Sequence, residues 1–216
     1  MSTDHVIQVG VDEVGRGCVF GPLVVVAVAN WNGWHDPEVK DSKKISSEEK
    51  RHRIADRIKQ NMTWHAGVAH SDCINEFGMA KCLQDCFVRA IGGLLYRLQH
   101  VKGRFEIILD GNPMKGLGHF VDPPRVTMKF EPKADANHFV VSAASLVAKS
   151  LRDTWCHGII TEQPSLKLYD IDSNMGYASA KHTMALWVHG PTIHHRTVFV
   201  KTLLENQAAK AKESRP

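Results

Sequence analysis

Three acidic residues stand where a strand hands over to a turn. Asp12 and Glu13 end the apolar run Val6, Ile7, Val9, Val11 and are followed by Gly15, Arg16 and Gly17; Asp110 ends Phe105–Leu109 and is followed by Gly111. In an open α/β sheet, ligand sites gather at the carboxyl ends of strands. If the first and fourth strands are neighbours, Asp12 and Asp110 meet there, and Asp135, at the start of a later helix, is a fourth candidate. Carboxylates that share a site repel one another and drift towards protonation. A divalent cation removes that penalty, and an oxygen-only donor set suits Mg²⁺ or Mn²⁺. Two such ions about 4 Å apart activate a water and stabilise the leaving oxygen of a phosphodiester. Taken singly, Asp12 and Asp110 also read as turn residues and Asp135 as an N-cap, so spacing alone leaves both readings open.

The glycines beside Arg16 extend the same logic. Gly15 and Gly17 allow unusual dihedrals and a close approach of main-chain polar groups to a ligand. Arg16 can grip a phosphate through two parallel hydrogen bonds. Alone, the triplet also fits a tight hairpin with a solvated arginine. Asp41–Lys44, "DSKK", is likewise a solvated loop or, if it faces the same cleft, a phosphate contact.

Composition narrows the chemistry. The 216 residues are 43% hydrophobic and 23% charged, with a net charge of +4, which suits a full-sized core and permits a nucleic-acid partner without requiring one. The five cysteines include no CxxC pair, and Cys and His do not cluster, which argues against a disulfide framework and against zinc. Cys82 and Cys86 lie one helical turn apart and read as core filling, with a metal role conceivable. There is no basic segment followed by an apolar one at the N-terminus, and the longest wholly apolar run, Leu23–Ala29, is too short to span a bilayer. The expectation is a cytoplasmic protein without membrane contact.

Strands are expected over Val6–Asp12, Val19–Trp31, Trp64–Ala69, Phe105–Leu109 and Val126–Phe130. Ser46 with Glu49 reads as a capping box opening a helix that turns Ile54 and Ile58 inwards. From Asp72 a long helix carries Leu83, Phe87, Ala90, Ile91, Leu94 and Leu98 at helical spacing, weakened at Gly92–Gly93. Asp135 caps a helix with Phe139, Val140, Ala143, Ala144, Val147 and Leu151 on its inner face and Ser142, Ser145, Lys149 and Arg152 on the other. Gln163–Gly176 reads as irregular, Tyr177–His189 as helical, and the end as a helix fraying into a charged tail. The alternation predicts an α/β domain with a mixed sheet, helices on both faces and a short helical C-terminal extension.

In order along the chain, "GVDEVGRG", "DSKKIS", "ILDGN", "AD…SAASLVAKSLRD", Gly176–Tyr177 and "GPTIHHR" resemble the type 2 ribonuclease H family, ribonuclease HII in particular. The resemblance implies a ribonuclease H-like fold with a five-stranded mixed sheet, a catalytic domain over residues 1–190 and a C-terminal extension over residues 191–216. By this match Asp12, Glu13, Asp110 and Asp135 are the metal-binding catalytic carboxylates, holding two Mg²⁺ or Mn²⁺. Gly15, Arg16 and Gly17 match the loop that recognises the ribonucleotide of an RNA–DNA junction. Tyr177 matches the tyrosine that stacks on the sugar of the following deoxynucleotide. Ser42, Lys43 and Lys44 match a phosphate-contacting segment, and Arg196 matches the first arginine of the family's "HRR" element, expected near the nucleic-acid backbone. Only RNA offers the 2′-hydroxyl such a loop senses. The implied activity is endonucleolytic hydrolysis 5′ of a ribonucleotide in RNA/DNA hybrids, or of one embedded in duplex DNA, leaving 3′-hydroxyl and 5′-phosphate ends. The implied role is excision of misincorporated ribonucleotides; a monomer is the simplest expectation for the oligomeric state.

Five positions depart from the family pattern: Cys18 stands for proline, Ala134 for glycine, Asn174–Met175 for histidine–lysine and Thr197 for the second arginine. The loss of positive charge predicts weaker phosphate affinity or salt dependence. Contact with a replication clamp stays open, since Gln207–Pro216 contains no recognisable partner motif. Rival readings are a junction resolvase on the same fold, a hybrid-binding module without turnover, and ribonuclease HIII, which normally carries an additional N-terminal domain and a different glycine–arginine loop.

Overall fold

The computed structural model describes residues 5–40, 45 and 47–213. Strands β1 (Val6–Val14), β2 (Leu23–Asn30), β3 (Thr63–Ala69), β4 (Arg104–Asp110) and β5 (Val126–Glu131) form one sheet in the order β3-β2-β1-β4-β5. β1 runs antiparallel to β2 and parallel to β4, and β4 parallel to β5, so the sheet is mixed as expected. The helices are α1 (Glu48–Asn61), α2 (Ser71–Phe77), α3 (Met79–Arg97), α4 (Ala134–Asn137), α5 (Phe139–Glu162), α6 (Ile171–Asn174), α7 (Ala180–His189) and α8 (Thr197–Glu213). Among the described residues, no helix is long and apolar enough to cross a membrane.

By its contacts the chain divides into two compact units. The first comprises residues 1–14, 24–68 and 83–151. Its core buries Val24, Val26 and Val28, one face of β2, with Ile54, Ala55 and Ile58 of α1 and Val140, Ala143, Ala144 and Val147 of α5. The strand period of two and the helix period of 3.6 select these residues. Glycines let helices approach the sheet: a Cβ on Gly10 would lie 2.2 Å from the Val140 carbonyl group, and one on Gly67 2.1 Å from the Cys86 oxygen. Gly93 has the same task, its missing Cβ leaving room for the His65 ring, so α3 continues through Gly92–Gly93.

The second unit comprises residues 15–23, 69–82 and 152–216. Its core gathers Val19, Phe20, Cys156, Ile160, Leu166, Tyr169, Ile171, Met175, Leu186 and Val200.

Several boundaries differ from expectation. β2 starts at Leu23 rather than Val19, because Val19 and Phe20 donate their N–H groups to the Gly176 oxygen and Pro22 cannot donate to a ladder. The long helix predicted from Asp72 is two helices, interrupted at Gly78 with φ 81°. α1 is capped by Ser47, whose hydroxyl accepts from the Lys50 N–H at 3.2 Å; Ser46 lies outside the described residues. Gln163–Gly176 contains a 3₁₀ segment over Pro164–Tyr169 and α6, and the helix expected from Tyr177 begins at Ala180 under a Ser179 cap.

Candidate active site

The first unit brings the strand-end acids together through register. Val11 pairs with Leu109, so Asp12 and Asp110 follow at the same level of neighbouring parallel strands. Gly10 pairs with Ile108 and Asp12 with Val26, both core residues of the α1/α5 face, which puts Asp12 and Asp110 on that face.

Asp12 is 8% exposed, and burial pushes its carboxyl up to about 7. The negative charges of Glu13 and Asp110 push the same way, while hydrogen bonds from Ser145 and from the Glu13 N–H, at 2.8 Å to Oδ1, oppose them. Gly10 explains how Ser145 reaches this carboxyl. Two residues along β1 and one turn along α5 cover similar lengths, so a helix seated on bare Gly10 at Val140–Val141 sets Ser145 over Asp12.

Asp110 is fixed from the adjoining loop: its Oδ1 accepts the Ala134 N–H at 2.8 Å. Asp135, 4% exposed, follows directly, so the third and fourth acids are linked through one peptide unit. Asp135 is not the N-cap that the sequence suggested. It lies inside α4, whose preceding residue, Lys133, adopts φ 62°, and the Ser142 hydroxyl donates to the Asp135 carbonyl at 2.5 Å. Glu131, beside Asp110 in the ladder, was not foreseen. Its carboxyl receives Asn137 Nδ2 at 3.0 Å and pairs with His138 Nε2 at 2.8 Å, which hold it below the usual carboxylate range.

A carboxyl raised first by its burial and then by two neighbouring acids is an arrangement short of positive charge. The donors Asp12, Glu13 and Asp110, with Asp135 linked through Asp110, are all oxygen, and a hard divalent cation would offset the burial and the repulsion that raise Asp12. The donor type, oxygen throughout, is the one a hard divalent cation takes.

In the second unit, the turn Gly15–Gly17 is built around two buried arginines. Gly15 takes φ 85°, and a Cβ there would strike the Arg152 side chain at 2.4 Å. Arg196 is 1% exposed, and its guanidinium donates to the carbonyls of Gly15 at 2.6 Å, Cys18 at 2.8 Å, Arg16 at 3.3 Å and Gly21 at 2.8 and 3.0 Å. Its donors are given to the turn, in place of the nucleic-acid contact expected from sequence. The Arg16 side chain is exposed.

Tyr177 is 47% exposed beside the left-handed pair Met175 and Gly176. Its carbonyl accepts His182 Nδ1 at 2.9 Å. His182 Nε2 meets His195 Nε2 at 3.0 Å, and His195 Nδ1 accepts the Thr192 N–H at 2.9 Å. That bonding assigns the protons: His195 carries one on Nε2 and donates to His182, which carries one on Nδ1. Burial, then the neighbouring His182, pushes His195 down to about 3, so His195 is neutral at physiological pH. Ser42, Lys43 and Lys44 lie outside the described residues.

The sequence profile described as Ribonuclease HII matches residues 9–205. The chain belongs to the ribonuclease HII family. A ribonuclease HII of Bacteroides thetaiotaomicron is 31% identical over 89% of this chain and 89% of its own, and that of Neisseria meningitidis serogroup B 32% identical over 94% and 98%. As a member of this family the chain is a ribonuclease H, an endoribonuclease. Among solved structures, ribonuclease H2 from Pyrococcus horikoshii covers 93% of this chain and 98% of its own at TM-score 0.64 and 22% identity. Bst-RNase HIII in complex with Mn²⁺ covers 94% of this chain and 71% of its own at TM-score 0.65 and 21% identity. Both share the ribonuclease H fold.

Proposed function

We propose that this ribonuclease H cleaves the phosphodiester 5′ of a ribonucleotide in RNA/DNA hybrids and at single ribonucleotides within duplex DNA, with preference for a ribonucleotide followed by a deoxynucleotide, leaving 3′-hydroxyl and 5′-phosphate ends. The observation that supports this most is the register that sets Asp12 and Asp110 at the same level, on one face, of neighbouring parallel strands.

Asp12, Glu13, Asp110 and Asp135 would hold two Mg²⁺ or Mn²⁺. Such ions, when bound, supply a nucleophilic hydroxide and neutralise charge on the phosphate. The chain's residues do the rest. Ser145 and the Glu13 N–H fix the orientation of Asp12, and the Ala134 N–H fixes Asp110. The Gly15–Arg16–Gly17 turn reads the ribose hydroxyl, a donor and acceptor absent from DNA. Tyr177 stacks on the next sugar, where a 2′-hydroxyl would crowd the ring. Ser42, Lys43 and Lys44 contact phosphate. Selection of a ribose followed by a deoxyribose suits the removal of misincorporated ribonucleotides.

A duplex with one embedded ribonucleotide, incubated with Mg²⁺ or Mn²⁺, tests the reading. The expected product is a single cut on the 5′ side of that ribonucleotide. Preferential cutting of a four-way DNA junction indicates a resolvase, and binding without cleavage indicates a hybrid-binding module.

A further inference from the structure

Arg152 and Arg196 are the bulkiest of the fully buried side chains among the described residues. Burying a guanidinium is costly unless its donors are satisfied. Here the acceptors are main-chain carbonyls, and the two arginines take different ones, although the Arg152 side chain also packs against Gly15. Arg196 takes Gly15, Arg16, Cys18 and Gly21. Arg152 takes Met175 at 2.6 Å, Phe20 at 2.9 Å and Pro22 at 3.1 Å. Its Cζ also lies 6.0 Å from the centroid of the Tyr177 ring. Gly176, at φ 84°, completes the fit, since a Cβ there would lie 2.6 Å from the Phe20 oxygen and 3.1 Å from Arg152 Nη2.

We infer that Arg152 is a positioning residue for junction recognition, fixing the Tyr177 ring and tying the Met175–Tyr177 turn to Phe20–Pro22, whereas Arg196 shapes the Gly15–Gly17 turn. This rests on the roles proposed above for Tyr177 and for the turn. Arg152 is 0% exposed and acts only through what it holds. Lysine keeps the charge but loses the planar fork that reaches three carbonyls and faces a ring.

The test compares kcat/KM on an embedded-ribonucleotide duplex and on a continuous RNA/DNA hybrid for Arg152→Lys, Arg196→Lys, Tyr177→Ala and the Arg152→Lys/Tyr177→Ala double variant. Thermal melting sets an assay temperature at which each is folded. Losing a charge-assisted hydrogen bond predicts about a tenfold fall in the junction-to-hybrid ratio for Arg152→Lys. Arg196→Lys lowers both rates and leaves their ratio within about twofold, because both substrates present a ribose. The double variant shows no loss of ratio beyond that of Tyr177→Ala, since the arginine works through the tyrosine. If Arg152→Lys does not fold, Arg152→Gln, which retains two N–H donors without a buried charge, is read by the same ratio. An unchanged ratio in the folded Arg152 variant, or losses that multiply in the double variant, overturns the inference. If Tyr177→Ala itself leaves the ratio unchanged, the role proposed for Tyr177 fails instead.

Discussion

Replacing Asp12 by asparagine should stabilise the metal-free protein. The wild-type carboxyl titrates at about 7 in the folded chain against an ordinary value of 3.8. Between those values the folded state binds more protons than the unfolded state, so stability falls as pH rises through the window. Below 3.8 the carboxyl is protonated in both states and the penalty vanishes; above about 7 it is complete. The span of about three pH units, at ~1.4 kcal/mol each, sets a ceiling on the order of 4 kcal/mol. Asparagine is nearly isosteric, and its oxygen still accepts the Glu13 N–H and the Ser145 hydroxyl, so about 2–4 kcal/mol of the gain should survive. Urea unfolding in the presence of a chelator, at several pH values from 3.5 to about 8.5, reads the difference directly. The two proteins should converge at the acid end and separate towards neutrality, with the variant more stable. Added Mn²⁺ should then stabilise the wild type more than the variant, because ligand binding favours the state that holds it. A difference that does not change with pH, or a less stable variant at pH 8, would refute the electrostatic account of this site.

Two further outcomes follow from the first unit. Asp110→Asn keeps the shape that accepts the Ala134 N–H but removes a charge, and should lower kcat by a factor on the order of 10³ or more in a hybrid-cleavage assay while the fold is retained. Gly10→Ala drives a methyl into the Val140 peptide and should cost about 3 kcal/mol in urea unfolding, with activity impaired in the surviving folded protein because α5 can no longer set Ser145 on Asp12.

How much of this was legible from sequence depends on whether a residue's neighbours are local. The five strands, their mixed sheet and the acids at the strand ends follow from alternation and from turn residues a few positions away. Val19–Leu23 misled because its apolar character serves two purposes: Phe20 is buried in the second unit's core, while its N–H is committed to Gly176, far along the chain. Gly93 looked like a weak point in a helix, but its partner, His65, lies on a strand and gives no local signal. Helical spacing sets Arg152 and Ser145 together on the polar side of one helix. Distant partners separate them: Ser145 serves Asp12, and Arg152 is enclosed by carbonyls from Phe20, Pro22 and Met175. A buried arginine with carbonyl acceptors leaves no charge pattern in the sequence, whereas a salt-bridged one has an acidic partner to look for.

The departures from the family pattern follow the same division between local and distant bonding. Asparagine at 174 loses charge but brackets the turn, its Oδ1 accepting the Gly176 N–H at 2.7 Å and its Nδ2 donating to the Tyr169 carbonyl at 2.8 Å. Met175 bears the left-handed conformation, φ 49°, and its carbonyl is the one that Arg152 takes at 2.6 Å. Cys18 supplies an N–H that proline lacks, donated to the Gly15 carbonyl at 3.4 Å. Ala134 needs no glycine, because the left-handed residue of that turn is Lys133, and Ala134 still presents its N–H to Asp110. Thr197 gives its N–H to Asn75 Oδ1 at 2.8 Å as α8 begins. At positions 18, 134, 174 and 175 the main-chain geometry around an acid or a turn is met by a group that the residue possesses. The difference left is one of positive charge, and the expected effect is on affinity for a phosphate backbone and its salt dependence.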